Sequence, residues 1–289
     1  MNRSWITIAI IATSVAGTSL LLERMSRTEA ASDLSDPYLD PYAMTMSHQH
    51  AGAESETEAE KRIGLSVNWP DGTPQAGQPQ RLRLTFADQN AGPIEHFEIV
   101  NEKQLHLIVV SHDLAQFQHV HPEYKGNGVF ELPITLESGG DYKLFSDFKP
   151  MGLNELTRSA DFTVAGTPEP AVPLEASKTL TATVEGMRIE LEFGQQPMAQ
   201  MATTMTYSLF DASTGDPITD LELYLGSVGH VVAIDETASD FIHVHPLNWA
   251  ATGPQAVFAI TFPKSGMYKL WGQFQRDGKV FVVPFTVQI

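Results

Sequence analysis

Phe117-Gln118-His119-Val120-His121-Pro122 returns as Phe241-Ile242-His243-Val244-His245-Pro246, at an offset of 124 residues. In a β-strand, positions i and i+2 share a face, so each phrase presents two imidazoles on one side and a valine on the other. Working outward, the same offset carries His106 to His230 and Gly92-Pro93-Ile94 to Asp216-Pro217-Ile218. After a two-residue insertion, Gly140-Asp141-Tyr142-Lys143-Leu144-Phe145 matches Gly266-Met267-Tyr268-Lys269-Leu270-Trp271, and Phe162-Thr163-Val164 matches Phe285-Thr286-Val287. The chain is a tandem duplication. Runs such as Arg81-Leu82-Arg83-Leu84-Thr85-Phe86 alternate polar with apolar, the signature of half-buried strands, and Asp71-Gly72 and Gly126-Asn127-Gly128 punctuate them as turns. Short strands at this spacing predict an all-β chain of two tandem immunoglobulin-like β-sandwiches, over 63–165 and 179–289, joined by a Pro-rich linker at 166–178.

Both copies contain His-x12-His-x-His-Pro. Over the seventeen positions from His106 to Pro122 only six residues are identical to the second copy, and three of those are histidines. A hairpin turning near residues 113–114 sets His106 opposite His121 and diagonal to His119, with Cβ atoms about 5 Å and 7 Å apart. An equivalent hairpin turning near Thr237 gathers His230, His243 and His245. Three neutral imidazoles suit Cu(II), Zn or Ni, with a fourth position open. The plainer alternative is that these histidines fill strand positions and hydrogen-bond to the backbone.

Composition narrows the chemistry. Among 289 residues there are 35 acidic and 18 basic side chains, a formal charge of −17, ten histidines and no cysteine. The charge argues against a nucleic-acid partner, and the absence of Cys removes thiolate metal sites and disulfides. Near the N-terminus, Trp5 to Leu22 is uncharged and closed by Glu23, Arg24 and Arg27. Residues 1–23 therefore read as a membrane helix, either a signal anchor or a signal peptide cleaved near Ser14-Val15-Ala16, with Leu20-Leu21-Leu22 favouring the anchor. The remainder lies on the extracytoplasmic face of the cell membrane, or is secreted or periplasmic after cleavage. Residues 24–62 read as a disordered acidic tether carrying Met44, Met46, His48 and His50, candidate accessory ligands. Thioethers beside imidazoles point to copper, with zinc the alternative. Met198, Met201 and Met205 read as core or edge packing; His96 and His112 are unmatched in the second copy, and His112, in the hairpin turn, reads as solvated surface, with an accessory ligand of copy one as the alternative.

His106-Leu107-Ile108-Val109-Val110-Ser111, His119-Val120-His121-Pro122 and Asp147-Phe148-Lys149-Pro150 resemble the YtkA-like group of exported bacterial β-sandwich proteins. The resemblance covers most of copy one; in copy two the Ser-x-Asp-Leu turn is replaced by Asp235-Glu236-Thr237-Ala238. It implies an exported sandwich associated with copper and heavy-metal handling. The function expected is a metal buffer or chaperone, with metal ions and an envelope metal transporter or other membrane protein as partners. One competing reading is a zinc or copper enzyme, since three histidines resemble the ligand set of carbonic anhydrase. No general base or catalytic residue can be assigned, so a non-enzyme is expected. The other is a non-metal interaction module of the envelope.

Overall fold

The computed structural model describes residues 56–289. Alternation builds the strands: Leu82, Leu84 and Phe86 are fully buried, while Arg81 is exposed and Arg83 and Thr85 are half-buried. In the first repeat one sheet runs β1 (Ile63–Asn68), β2 (Pro79–Asp88), β8 (Val129–Thr135) and β7 (Glu123–Gly126), with the two-residue β3 (Gly92–Pro93) beside β2. The other runs β10 (Leu156–Val164), β9 (Gly140–Pro150), β5 (Leu105–Ser111) and β6 (Phe117–Val120), with β4 (Phe97–Glu98) against β9. All strand pairs are antiparallel. This is the strand order of an immunoglobulin-type sandwich, closed over Leu82, Leu84, Phe86, Phe130, Leu144 and Phe148.

The second repeat departs from two separate sheets. Its strands are β11 (Thr181–Val184), β12 (Met187–Phe193), β13 (Ala202–Asp211), β14 (His230–Asp235), β15 (Phe241–Pro246), β16 (Gln255–Thr261), β17 (Met267–Arg276) and β18 (Lys279–Gln288). They form one ribbon in the order β11-β12-β13-β16-β15-β14-β17-β18. The join is β15, which pairs β14 through Phe241–Val244 and β16 through His245 and Pro246.

The hairpins that carry the histidines have the register read from the sequence. Leu107 faces Val120 and Ile108 faces His119, while Val231 faces Val244 and Val232 faces His243. The turns differ in chemistry but not in path. Leu114 and Ala238 both take left-handed backbone angles, φ 57° and 51°. Ser111 Oγ accepts the Gln116 amide in one copy, and the Asp235 carboxylate accepts the Asp240 amide in the other.

Strands β5 and β14 are buried along their whole length, unlike the alternating β2. Leu105, Leu107 and Val109 face the core of their own repeat. Ile108 and Val110 face outward, into a third apolar cluster shared with Val232, Ile234 and Trp271 of the second repeat. A run such as Leu-Ile-Val-Val is what a strand covered on both faces requires.

The tether expectation is corrected at its end. Thr57 caps a four-residue helix, α1 (Glu58–Lys61), through a reciprocal capping box with Glu60. Arg158 then ties this segment to the sandwich, donating to the Glu60 and Ile63 carbonyls and pairing with Glu56. The membrane helix expected over 1–23 and the Met44–His50 motif lie outside the described residues. Among the described residues no helix is long and apolar enough to cross a membrane. Between β10 and β11 the chain has no strand, but bridges at Ala165 and Pro168 hold it against the first repeat, and Leu174 packs on the shared cluster.

Candidate metal centre between the repeats

Period two decides what each sheet offers its neighbour. On β6, Phe117 and His119 share a face; on β5, His106, Ile108 and Val110; on β9, Phe145 and Asp147. The second repeat offers the counterparts Phe241, His243, His230, Val232, Ile234, Trp271 and Gln273. The two faces meet around a quasi-twofold axis, with each residue touching the counterpart of its partner. Phe117 stacks on Trp271 at 4.6 Å between ring centroids, and Phe145 on Phe241 at 5.0 Å. Phe148 and Phe274, one position beyond Asp147 and Gln273, pack in the cores of their own repeats.

The interface has an apolar end and a histidine end. His106 stacks on His230 at 5.4 Å with only 13° between the rings. His119 meets His230 at 4.8 Å, and in the reciprocal contact His106 meets His243 at 5.7 Å. His119 and His121 lie 4.7 Å apart, as do His243 and His245. Six histidines thus form one continuous group rather than two separate triads. Half-exposed Trp249 stands beside His245, at 5.9 Å.

Within this group the His106, His119 and His121 donor atoms lie within 4.8 Å of one another, the set expected for copy one. The expected partner set in copy two is rearranged. His243 and His245 converge with Glu155 of the first repeat, while His230 turns its ring onto His106 and His243. The reason is the long approach of the segment before β10, which brings Glu155 Oε1 to 4.0 Å from His243 Nδ1. Sequence reasoning missed Glu155 and Asp147. Asp147 aligns with Gln273 of the second repeat.

Hydrogen bonds fix the rings. His106 Nε2 donates to the Val100 carbonyl at 3.0 Å, which leaves the lone pair on Nδ1. That carbonyl is held by a tight turn in which Asn101 and Glu102 are left-handed. His119 Nδ1 donates to Gln273 Oε1 at 3.1 Å, leaving its lone pair on Nε2. His106 Nδ1 and His119 Nε2 stand 3.2 Å apart. Buried His121 Nε2 has no hydrogen-bond partner among the described residues. In the other half, His243 Nδ1 donates to Asp147 Oδ2 at 2.6 Å, with both side chains buried.

Four of the six, His106, His119, His121 and His230, are held neutral near pH 7. Burial, then the neighbouring His243, lowers the His106 pKa to about 4. Burial, then His106, brings His121 to about 3. His119 and His230 are pushed well below the ordinary value by burial and by the adjacent imidazoles. Neutral imidazole is the form that ligates metals. Met205 is fully buried, whereas Met198 and Met201 are exposed, so these three do not form a cluster of ligands. His112 is on the surface, paired with Asp161 at 3.0 Å.

The profile of the DUF8832 family, described as a domain of unknown function, matches twice, at residues 59–167 and 182–289. No curated protein matches the chain. Among solved structures, the Escherichia coli adhesin FdeC is similar at 17% identity and TM-score 0.28, over 81% of this chain and 65% of that one. A Salmonella alpha-2-macroglobulin mutant is similar at 12% identity and TM-score 0.28, over 81% of this chain and 15% of that one. The Yersinia pseudotuberculosis adhesin InvE is similar at 12% identity and TM-score 0.25, over 79% of this chain and 60% of that one. The chain spans less than two thirds of the length of each of these structures.

Proposed function

This chain belongs to the DUF8832 family, and we propose that it is an extracytoplasmic metal-binding protein, for copper first and zinc second, acting as a buffer or chaperone. One observation carries the reading: a ring nitrogen from each of His106, His119 and His121 lies within 4.8 Å of the others, with His106 Nδ1 and His119 Nε2 at 3.2 Å. Ligands on a tetrahedral ion with bonds of about 2.0–2.1 Å sit roughly 3.3 Å apart, which fits this pair. The partnerless His121 Nε2 supplies a third donor. Copper is preferred because the tether adds Met44 and Met46 to His48 and His50.

The resemblance of copy one to the YtkA-like group agrees with this reading, as does an N-terminal anchor that would hold the domains outside the membrane and near an envelope metal transporter. Binding rather than catalysis is proposed, since the histidine nitrogens converge on one another as the ligands of an ion do. The second reading, a non-metal interaction module of the envelope, agrees with the adhesins among the similar structures, at a likeness too low to carry their partners across.

The test is metal titration of the purified chain against a chromogenic chelator, with Cu(I), Cu(II) and Zn(II). Saturable binding from which H119A/H121A loses the ion held by His106, His119 and His121 is expected. No saturable binding, or binding unchanged in that variant, overturns the proposal, and partner capture that survives chelation would favour the interaction module.

A further inference from the structure

The two halves of the histidine group are not chemically equivalent. Around His119 the orienting partner is the neutral Gln273 amide; around His243 it is the Asp147 carboxylate. Beside His243 and His245 the first repeat places Glu155. The equivalent position in the second repeat follows from the strand pairing. Leu156 faces Phe148, and Phe281 faces Phe274, so by pairing Glu155 corresponds to Val280, two positions beyond the Gly278 that the Phe162–Phe285 sequence match gives, and neither has a ligand side chain. One half is therefore an all-imidazole set, and the other combines two imidazoles with one carboxylate and a second carboxylate behind it.

We infer that Glu155, His243 and His245 form a second cation centre that spans the two repeats, with Asp147 orienting His243, and that it takes a divalent ion of the zinc class. This rests on the metal-binding reading above and deepens it by assigning a second ion of different preference. Two histidines and a glutamate are a recurrent zinc set, and a carboxylate favours a divalent ion over Cu(I). Asp147 supplies the carboxylate–histidine contact that fixes the ring of a ligating histidine and raises its basicity. Glu155 belongs to one repeat and both histidines to the other, so an ion held here fastens the repeats together.

The probe is Zn(II) itself, measured as ions retained per full-length chain after equilibrium dialysis. The unaltered protein should hold two, H119A/H121A one, E155Q one and the triple variant none. H245A, a change on the opposite repeat, should lose the same ion as E155Q. X-ray absorption at the zinc retained by H119A/H121A should show mixed nitrogen and oxygen ligation. If zinc content is indifferent to both E155Q and H245A, the second centre is overturned while the first stands. If the unaltered chain retains neither zinc nor copper, the metal reading fails with it.

Discussion

Removing the Phe145 side chain tests the docking of the repeats at a point that touches no histidine. Phe145 is 2% exposed and stacks on Phe241 of the other repeat at 5.0 Å and 15°. Truncating a buried Phe to Ala costs about 3–5 kcal/mol, transfer and cavity together. Phe241 is partly exposed, and F241A should cost about 2 kcal/mol. The double variant should be less unstable than the sum by about 0.5–1.5 kcal/mol, the coupling of an aromatic pair. Urea unfolding of the full chain, followed by circular dichroism, closes the cycle. For a chain of this size F145A alone should lower the thermal midpoint by about 6–20 °C. Metal affinity should fall as well, because the histidines of one repeat are aligned by docking on the other. Additivity within about 0.3 kcal/mol, with metal affinity unchanged, would refute the interface as described.

Other consequences can be measured independently. Q273L removes the acceptor of the His119 proton and should weaken metal binding at His106, His119 and His121 about 10–100-fold, the usual effect of losing such a partner. Asp235 should dominate the acid limb of stability. Burial alone would raise its pKa, but hydrogen bonds from Thr237, Asp240, Lys264 and Ser239 outweigh that and bring it to about 2. Its contribution, about 2 kcal/mol, is present above the unfolded value near 4 and is lost as pH falls through 2. D235N should flatten that dependence in acid-unfolding curves, and an unchanged slope would count against it. R158A should release α1, seen as faster amide exchange over 57–62, at a cost of about 1–3 kcal/mol.

Much of the local architecture was legible. The His-x-His spacing, the turn centre and period-two alternation are local properties, and together they determine which nitrogens of the first copy converge. The contacts that join the repeats left no comparable trace. Asp147 and His243 are 96 positions apart, and His119 and Gln273 are 154 apart. Nothing in a single strand says whether its outward face meets water or another domain, except that β5 is apolar on both faces. Glu155 was missed for the same reason: its neighbours in sequence are ordinary connecting residues, and only the docked second repeat gives it imidazoles to face. The helix cap at Thr57 and Glu60 was legible, since Thr-x-x-Glu is a capping-box pattern, but the acidic run around it favoured disorder.

The quasi-twofold axis gives the duplication a direction. Two separate copies of one repeat, meeting through this face, would present identical residues on each side, so any ion-binding corner would occur twice with the same donors. Joining the copies in one chain removes that obligation. Position 147 can hold an aspartate where 273 holds glutamine, and 155 a glutamate where 280 holds valine. The stiff connecting segment also makes the encounter intramolecular, so association no longer depends on how much protein is present. A fused pair can therefore specialise its two corners without losing the contact that creates them.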